Sequence, residues 1–170
     1  MKIVLLGYMA SGKSVIGNLL SNKMGLKFID LDNFIEVREK MTISKIFDLK
    51  GEIYFRKKEN EYLDELLNLK ENCIISLGGG TPCYGNNMEK IGNSNTISFY
   101  LKASIQTIFD RLKNETLQRP LVATIGVSNL KEYIAKHLFE RSPFYENANF
   151  TISVDTKNTE EIVEEIRVLL

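Results

Sequence analysis

Cysteine and histidine, the residues that build disulfide frameworks and zinc sites, are scarce in this sequence. Its 170 residues include two cysteines, Cys73 and Cys83, and one histidine, His137. The cysteines form no C-x-x-C pair and have no adjacent histidine, so we expect neither a disulfide framework nor a zinc site. Two reduced thiols are typical of a protein that stays in the cytoplasm, and we predict that location.

Net charge and long apolar runs are also missing. The 22 Lys and Arg residues balance the 22 Asp and Glu residues, so the chain as a whole has no electrostatic preference for nucleic acid or an anionic membrane. No apolar stretch approaches the roughly 20 residues of a membrane span. The first stretch, residues 3–6, is too short for a signal peptide. We therefore expect small-molecule partners, with no nucleic acid and no membrane, and a monomeric protein.

The apolar residues that are present form short runs, which alternate with helical patterns. Short, mainly apolar runs predict buried strands at residues 3–6, 28–31, 73–77, 97–101 and 150–154. Helices are predicted at residues 14–24, 33–40, 43–49, 53–69, 104–113, 130–141 and 159–170, with Pro143 ending the sixth. Strands that alternate with helices indicate parallel βαβ units. The prediction is one α/β domain over residues 1–170, with three α/β/α layers around a five-stranded parallel sheet.

A glycine-rich motif follows the first predicted strand. Residues 7–14, GYMASGKS, match G-x-x-x-x-G-K-[ST] in full. Gly7 and Gly12 permit backbone angles that other residues avoid, so successive N–H groups can surround phosphate oxygens. Lys13 can reach the terminal phosphates of a nucleotide, and the Ser14 hydroxyl can bind Mg²⁺. The motif therefore predicts binding of a nucleoside triphosphate.

Two carboxylates end the second predicted strand. Asp30 and Asp32 are two residues apart, so they project from one face at the carboxyl edge of the sheet, where ligands bind. One could support the Mg²⁺ shell while the other accepts a hydrogen bond from an acceptor hydroxyl. Asp32 could equally be the N-cap of the helix that begins near Asn33. The D-x-D pattern alone supports both interpretations equally.

Three arginines are further candidates. Arg56 begins a charged helical stretch, which could simply be a solvated face. Arg119 lies in a weakly patterned segment, residues 114–126, where a closing lid could bring a cation onto the phosphates. Arg141 ends a predicted helix, where a cation also complements the helix dipole. Taken singly, each arginine fits its ordinary structural explanation as well as a functional one.

Taken together, these features resemble the shikimate kinase family over the full length of the chain. The matching segments are GYMASGKS at 7–14, FIDLD at 28–32, FR at 55–56, GGG at 78–80, RPL at 119–121 and RSPFY at 141–145. The resemblance rests on their order and spacing rather than on any one of them. It implies a P-loop fold of the nucleoside monophosphate kinase type. The implied reaction is ATP-dependent phosphorylation of shikimate at its 3-hydroxyl, which gives shikimate 3-phosphate and ADP for aromatic amino acid biosynthesis.

The resemblance also implies residue roles. The ATP contacts would be Gly7, Ala10, Ser11, Gly12, Lys13, Ser14, Val15 and Arg119. Ser14 would bind Mg²⁺ directly and Asp30 through water. The shikimate contacts would be Asp32, Arg56, Gly78, Gly79, Gly80 and Arg141. Arg56 and Arg141 would pair with the shikimate carboxylate, a geometry that guanidinium groups favour. The catalytic residues would be Lys13, Asp32 as base or orienter of the 3-hydroxyl, and Arg119 from a lid at 114–126. The acceptor would bind to the helical segment at 32–62.

The chain departs from the family pattern at two positions. Ala10 stands where the family usually has glycine, and Val122 stands where a second leucine is usual. Contacts to the adenine are poorly specified, with Arg111 and residues 155–158 as candidates. His137 matches no family role, and we interpret it as structural.

Other P-loop proteins remain alternatives. Gluconate kinases and nucleoside monophosphate kinases share the phosphate loop and a lid. An ATPase or nucleotide switch without a small-molecule acceptor is the alternative outside the kinases. Such proteins usually have an aspartate at the end of an apolar strand, whereas the strand at 73–77 runs into glycines, which favours a kinase.

Overall fold

The computed structural model describes residues 1–113 and 124–170. Most of the predicted lid, including Arg119, lies outside these residues. The strands are β1 (Lys2–Leu6), β2 (Lys27–Asp30), β3 (Cys73–Ser76), β4 (Thr96–Lys102) and β5 (Phe150–Ser153). The helices are α1 (Lys13–Met24), α2 (Leu31–Glu39), α3 (Ile43–Leu67), α4 (Asn87–Asn93), α5 (Ile105–Leu112), α6 (Val127–Tyr145) and α7 (Thr159–Val168), with a 3₁₀ turn at Thr81–Cys83.

The strands form one parallel sheet in the order β2-β3-β1-β4-β5. The chain leaves β1 towards β2 on one side and leaves β4 towards β5 on the other. The strand order therefore reverses beside β1, and in open parallel sheets this is where ligands bind. The predicted α/β fold with a five-stranded parallel sheet is confirmed.

Helices cover both faces of this sheet. Four consecutive residues of β1, residues 3–6, are fully buried, although successive side chains of a strand point to opposite faces. Helix α1 packs against β1, β2 and β3 and against α7, while α4 packs against β4. No described helix is long and apolar enough to cross a membrane. Both cysteines are free thiols, as predicted.

Helix α6 does not stop where the sequence predicted. It continues through Pro143 to Tyr145. Proline at this position removes one hydrogen bond to the carbonyl of Phe139. Phe139 is 83% exposed, so water can satisfy that carbonyl. The fully buried Tyr145 donates a hydrogen bond to the Gly79 carbonyl at 2.5 Å, and this tertiary contact holds the last turn.

Two other elements differ from the prediction. Helix α4 and the 3₁₀ turn before it were not predicted, because residues 81–93 contain few apolar residues with helical spacing. The two helices predicted at 43–49 and 53–69 are joined in α3. Gly51, with φ 82° and ψ 168°, still separates two helical segments there.

Candidate active site

A cavity of about 600 Å³ opens at the carboxyl edge of the sheet. It is bounded by the phosphate loop, the ends of β2 and β3, and the start of α7. Its lining residues are Met9, Ala10, Ser11, Gly12, Lys13, Ser14, Val15, Ile16, Asp30, Asp32, Ser76, Leu77, Gly78, Gly79, Arg111, Lys157, Asn158, Thr159 and Ile162. Most residues predicted to bind ATP or Mg²⁺ thus face one space.

The phosphate loop has the backbone that its two outer glycines were predicted to permit. Gly7 has φ 147° and Gly12 has φ 97°, values that L side chains rarely adopt. A methyl group built on Gly7 would lie 2.7 Å from the carbonyl oxygen of Leu101 in β4. Helix α1 begins at Lys13, directly after Gly12, so its free N–H groups open into the cavity.

Ala10 occupies a left-handed position in this loop. Its φ is 60°, which costs an alanine about 1–2 kcal/mol relative to the right-handed region. The Arg111 side chain donates a hydrogen bond of 2.7 Å to the Ala10 carbonyl. Arg111 therefore supports the loop from α5 as well as lining the cavity on the side predicted for adenine.

Lys13 is held within the loop that it belongs to. Its side chain is largely buried, and Nζ donates to the carbonyl oxygens of Gly7 (2.8 Å) and Tyr8 (2.9 Å). The ammonium group is therefore directed along the inner edge of the loop. This position suits a cation that reaches the terminal phosphates of a nucleotide.

Asp30, rather than Asp32, caps helix α2. Asp30 Oδ1 accepts from the backbone N–H of Asn33 at 3.2 Å, and Asp30 Oδ2 accepts from the Ser14 hydroxyl at 3.3 Å. The interpretation of Asp32 as the N-cap is therefore wrong, because Asp32 lies two residues further along, in the first turn of α2. The Asp32 carboxylate remains available to face the cavity.

Asp32 has a raised pKa. Burial, followed by the negative charges of Asp30 and Glu59, raises the pKa of this carboxyl from 3.8 to about 6, and this value includes the opposing effect of Lys13. A carboxyl group with a pKa near 6 is mostly ionised at neutral pH. It accepts a proton more readily than an ordinary aspartate, which suits a general base.

The three consecutive glycines bring separate parts of the site together. A methyl group built on Gly78 would lie 2.7 Å from Asp32 Oδ1, and one on Gly79 would lie 3.2 Å from the Met9 backbone nitrogen. One on Gly80 would lie 3.2 Å from each terminal guanidinium nitrogen of Arg56. Residues 78–80 therefore contact the candidate base, the phosphate loop and a candidate arginine in succession.

Arg56 is oriented by a network that the sequence analysis missed. It donates to Glu59 Oε2 at 2.9 Å, and its guanidinium carbon lies 3.7 Å from the Tyr84 ring centroid. Glu59 is 1% exposed, and its Oε1 accepts from the Thr81 hydroxyl at 2.6 Å. The i, i+3 spacing of Arg56 and Glu59 in α3 is the one sequence signal for this network. Arg56 lines a second cavity, of about 450 Å³, rather than the first.

Arg141 approaches the same region from α6. Burial raises the pKa of the Cys83 thiol, and the positive charges of Arg141 and Arg56 oppose that rise, so both guanidinium groups lie near Cys83. The Arg141 guanidinium carbon is 5.9 Å from the Tyr8 ring centroid. The Tyr8 hydroxyl lies 3.0 Å from His137 Nδ1, which connects α6 to the phosphate loop. The structural interpretation of His137 stays a prediction.

The remaining predicted residues divide between the cavity and its surroundings. Lys157 and Asn158 line the cavity, whereas Asp155 accepts from the Ser104 backbone N–H at 3.0 Å, outside it. Arg119 lies outside the described residues, so its predicted role stays a prediction.

The oxygens in the cavity suit a metal that retains waters. Among the described residues, no group of three or more His, Cys, Asp or Glu side chains could hold a metal ion. Mg²⁺ usually binds one or two protein oxygens, phosphates and waters, which the Ser14 and Asp30 pair fits. Ser11 and Ser76 line the same cavity, and their buried hydroxyl groups have no hydrogen-bond partner in the described part of the chain.

Comparisons with known proteins agree with this geometry. A family model described as shikimate kinase matches residues 9–170. A shikimate kinase of Flavobacterium psychrophilum is 48% identical over 169 residues, which cover 99% of this chain and 98% of that protein. The crystal structure of shikimate kinase from Bacteroides thetaiotaomicron has a TM-score of 0.91 at 33% identity, covering 99% of this chain and 97% of that one. Shikimate kinase from Acinetobacter baumannii, solved in complex with shikimate, has a TM-score of 0.86 at 30% identity, covering 99% of this chain and 91% of that one. The chain belongs to the shikimate kinase family.

Proposed function

We propose that this protein transfers the γ-phosphoryl group of ATP to the 3-hydroxyl of shikimate, giving shikimate 3-phosphate and ADP. The observation that supports this most directly is the position of residues 78–80, which touch the phosphate loop, Asp32 and Arg56 together. If the phosphoryl donor and the acceptor bound on either side of these glycines, their reacting groups would lie next to each other. Family membership supports ATP and shikimate as that donor and acceptor.

On the donor side, the phosphate loop binds the ATP phosphates. Gly12 and the first turn of α1 line the cavity and offer free backbone N–H groups to the phosphates, and Lys13 neutralises the terminal phosphates. Ser11, Val15 and Ala10 line the same wall. The adenine extends towards Arg111, Lys157 and Asn158, which line the same cavity.

Mg²⁺ is the cofactor that the oxygens at this end of the cavity fit. When bound, Mg²⁺ would supply positive charge that offsets the charge developing on the phosphoryl group during transfer. Ser14 offers its hydroxyl directly, and Asp30, which is hydrogen-bonded to Ser14, acts through a water molecule.

On the acceptor side, Asp32 orients the 3-hydroxyl and accepts its proton. The hydroxyl oxygen forms the new bond to the γ-phosphorus, while the bond from that phosphorus to the β–γ bridging oxygen breaks. ADP leaves with that electron pair. The raised pKa of Asp32, about 6, supports its role as the proton acceptor.

The acceptor carboxylate pairs with Arg56 and Arg141. Glu59 and Tyr84 hold the Arg56 guanidinium in one orientation, so little side-chain freedom is lost when a planar anion binds. The glycine loop connects this region to the candidate base, because Gly80 lies beside Arg56 and Gly78 lies beside Asp32. The acceptor-binding segment is residues 32–62, and Arg119 from a lid at 114–126 covers the transferring group.

We further propose that the protein is a monomer and that it is located in the cytoplasm. The two free thiols support the cytoplasmic location. The alternatives remain a gluconate kinase, a nucleoside monophosphate kinase and an ATPase. Two arginines near the glycine loop favour an acceptor that is itself an acid. Ser76 stands at the end of β3 where an ATPase would usually have an aspartate, which disfavours that reading.

The test is ADP release by the purified protein with Mg²⁺ and ATP. Shikimate, gluconate, nucleoside monophosphates and no acceptor are compared. We expect turnover with shikimate alone. Turnover with another acceptor would keep the kinase and contradict the arginine pairing, and equal ADP release in every reaction would indicate an ATPase.

A further inference from the structure

His137 is the single histidine of the chain, and the proposed reaction gives it no role. It lies half-buried in α6, and its Nδ1 atom is 3.0 Å from the hydroxyl of Tyr8 in the phosphate loop. The two rings meet edge to face, with centroids 5.6 Å apart and planes at 88°. Tyr8 is 1% exposed, so its hydroxyl needs a hydrogen-bond partner, which His137 supplies. A directional contact therefore joins α6 to the phosphate loop.

The protonation states of the two side chains define the direction of this hydrogen bond. Burial raises the pKa of the Tyr8 hydroxyl, so the hydroxyl keeps its proton at neutral pH. Burial, followed by the positive charge of Arg141, lowers the pKa of His137, so its ring is neutral at that pH. A neutral imidazole has one nitrogen that accepts and one that donates. Because the buried hydroxyl must direct its proton at an acceptor, Tyr8 donates to Nδ1, and the ring proton of His137 lies on Nε2.

The backbone of Tyr8 contacts Lys13. The Tyr8 carbonyl accepts from Lys13 Nζ at 2.9 Å and from the Ser11 backbone N–H at 3.2 Å. Both donors belong to the motif at 7–14, so this carbonyl organises the inside of the loop. The carbonyl and the ring belong to one residue, and a ring that is fixed by α6 limits how far the carbonyl can turn. The position of the Lys13 ammonium group therefore depends on a contact made outside the motif.

The other carbonyl that accepts from Lys13 cannot be held in this way. Lys13 Nζ donates to the Gly7 carbonyl at 2.8 Å, but Gly7 has no side chain through which another element could fix it. Helix α6, in contrast, presents two residues to the Tyr8 ring. Arg141 lies one helical turn after His137, and its guanidinium carbon is 5.9 Å from the ring centroid. Tyr8 is therefore the residue through which side chains of α6 can fix an acceptor of Lys13.

We propose that His137 is a positioning residue, which holds the Lys13 ammonium group in place for the terminal phosphates of the nucleotide through its hydrogen bond with Tyr8. This inference rests on the proposed function, because it requires Lys13 to bind those phosphates. It adds a residue of α6, more than a hundred positions along the chain from the motif, to the donor side of the site. It also gives a physical reason for a histidine at this position of the helix.

The experiment is calorimetric titration at neutral pH with Mg²⁺ and a non-hydrolysable ATP analogue, which measures binding without catalysis. We expect His137→Phe, which keeps a ring but has no acceptor, to raise the dissociation constant about threefold to tenfold, the loss of one hydrogen bond. In a Lys13→Ala background we expect the same substitution to have no effect, because the side chain through which it acts is gone. This non-additivity distinguishes positioning of Lys13 from a general loosening of the loop.

Three further variants separate the hydrogen bond from packing. His137→Asn should bind the analogue as wild type does, because the asparagine Oδ1 can accept a hydrogen bond near the position of the histidine Nδ1. Tyr8→Phe, which removes the donor, should match His137→Phe, and the double variant should lose no more than either. Tyr100→Phe is the matched control, since Tyr100 is also 1% exposed and packs against α6, with its ring centroid 5.1 Å from that of Tyr145. This control should lower the melting temperature and leave the dissociation constant unchanged.

Three results would overturn the proposal. The first is a wild-type dissociation constant in both His137→Phe and Tyr8→Phe. The second is an equal loss from His137→Phe with and without Lys13, which would indicate a general effect on the fold. The third is a loss in His137→Asn as large as in His137→Phe, which would indicate packing of the ring. If Lys13→Ala itself binds the analogue as wild type does, the proposed role of Lys13 and this inference both fail. Binding that meets all these expectations without transfer to shikimate would count against the proposed function alone.

Discussion

The phosphate loop at residues 7–14 is one continuous stretch of chain, whereas the acceptor side is assembled from four separate elements. The loop uses mainly backbone groups, a fixed pair of glycines and one lysine. The acceptor side uses side chains from the start of α2, from α3, from the turn after β3 and from α6. Backbone donors are neutral and have no pKa in the physiological range, but the acceptor side depends on buried charges that must balance one another. The two sides should therefore respond differently to substitution and to pH.

The largest effect is expected at the one side chain on which the donor side depends. Lys13→Ala removes the cation proposed to neutralise the terminal phosphates, and we expect kcat to fall by about a hundredfold to a thousandfold. Steady-state ADP release measures this fall. Lys23→Ala, at the other end of α1 and paired with Glu160 and Glu164 on the surface, is the matched control. Activity of Lys13→Ala within about tenfold of wild type would contradict the role of Lys13.

A smaller effect is expected when the acceptor side keeps its charge but loses its geometry. Arg56→Lys and Arg141→Lys preserve a cation and remove the forked pairing with a carboxylate. We expect the KM for shikimate to rise by about tenfold to a hundredfold, with the KM for ATP unchanged. Arg38→Lys, which alters a surface ion pair with Glu65, should change neither constant. Equal rises in both KM values would mean that the two sides are not independent.

The pH dependence should separate the two sides further. Because the pKa of Asp32 is about 6, we expect kcat/KM to fall about tenfold per pH unit below that value, while binding of the ATP analogue changes little.

The folded pKa of Asp32 lies above the usual value of 3.8, so Asp32 destabilises the fold at neutral pH, and this cost disappears as the pH falls towards 4. Asp32→Asn should therefore lose activity, while its free energy of unfolding at pH 7 should be about 1–3 kcal/mol higher than that of wild type. Denaturant unfolding at pH 7 and pH 4 measures this. An Asn variant less stable than wild type at pH 7 would contradict the electrostatic account.

The smallest effect is expected at the one irregular side chain of the phosphate loop. Ala10→Gly relieves a left-handed alanine with φ 60°, worth about 1–2 kcal/mol, but adds freedom to the unfolded chain worth about 0.4–1 kcal/mol. We expect a net gain in stability of roughly 0.5–1 kcal/mol, from the difference between these terms. In contrast, Ala135→Gly, within α6, should cost about 1 kcal/mol. Thermal unfolding of both variants tests the difference, and destabilisation by Ala10→Gly would show that the loop does not strain Ala10.

The continuous side of the site was predictable from the sequence because its signals are local. A strand, two glycines, a lysine and a helix follow one another within residues 3–24, so spacing alone defines their geometry. The network around Arg56 was not predictable, since Glu59, Thr81 and Tyr84 acquire their roles only when α3 packs against the turn after β3. The Asp32 cap was predicted as an even choice, because a shift of two residues decides which carboxylate caps α2.

Helix α6, which passes through Pro143, shows that a local sequence signal can also predict a helix end that the fold does not have. A local stop signal was overridden by one distant hydrogen bond, from Tyr145 to Gly79. The sheet was predictable because five short, mainly apolar runs alternate with helical patterns along the chain. The lid prediction at 114–126, the role of Arg119 and the acceptor segment at 32–62 stay predictions.

The hydrogen bond from Tyr145 to Gly79 has a mechanical consequence for the acceptor side. Arg141 lies one helical turn before Tyr145, so the Arg141 guanidinium and the Tyr145 hydroxyl are carried by the same helix. A rotation of this helix that moves the Arg141 guanidinium would also move the Gly79 peptide, because Tyr145 is hydrogen-bonded to the Gly79 carbonyl at 2.5 Å. The positions of the Arg141 guanidinium and of the Gly79 backbone are therefore coupled through α6. If Arg141 binds the acceptor carboxylate as proposed, a shift of Arg141 on binding would be passed to the Gly79 backbone through Tyr145.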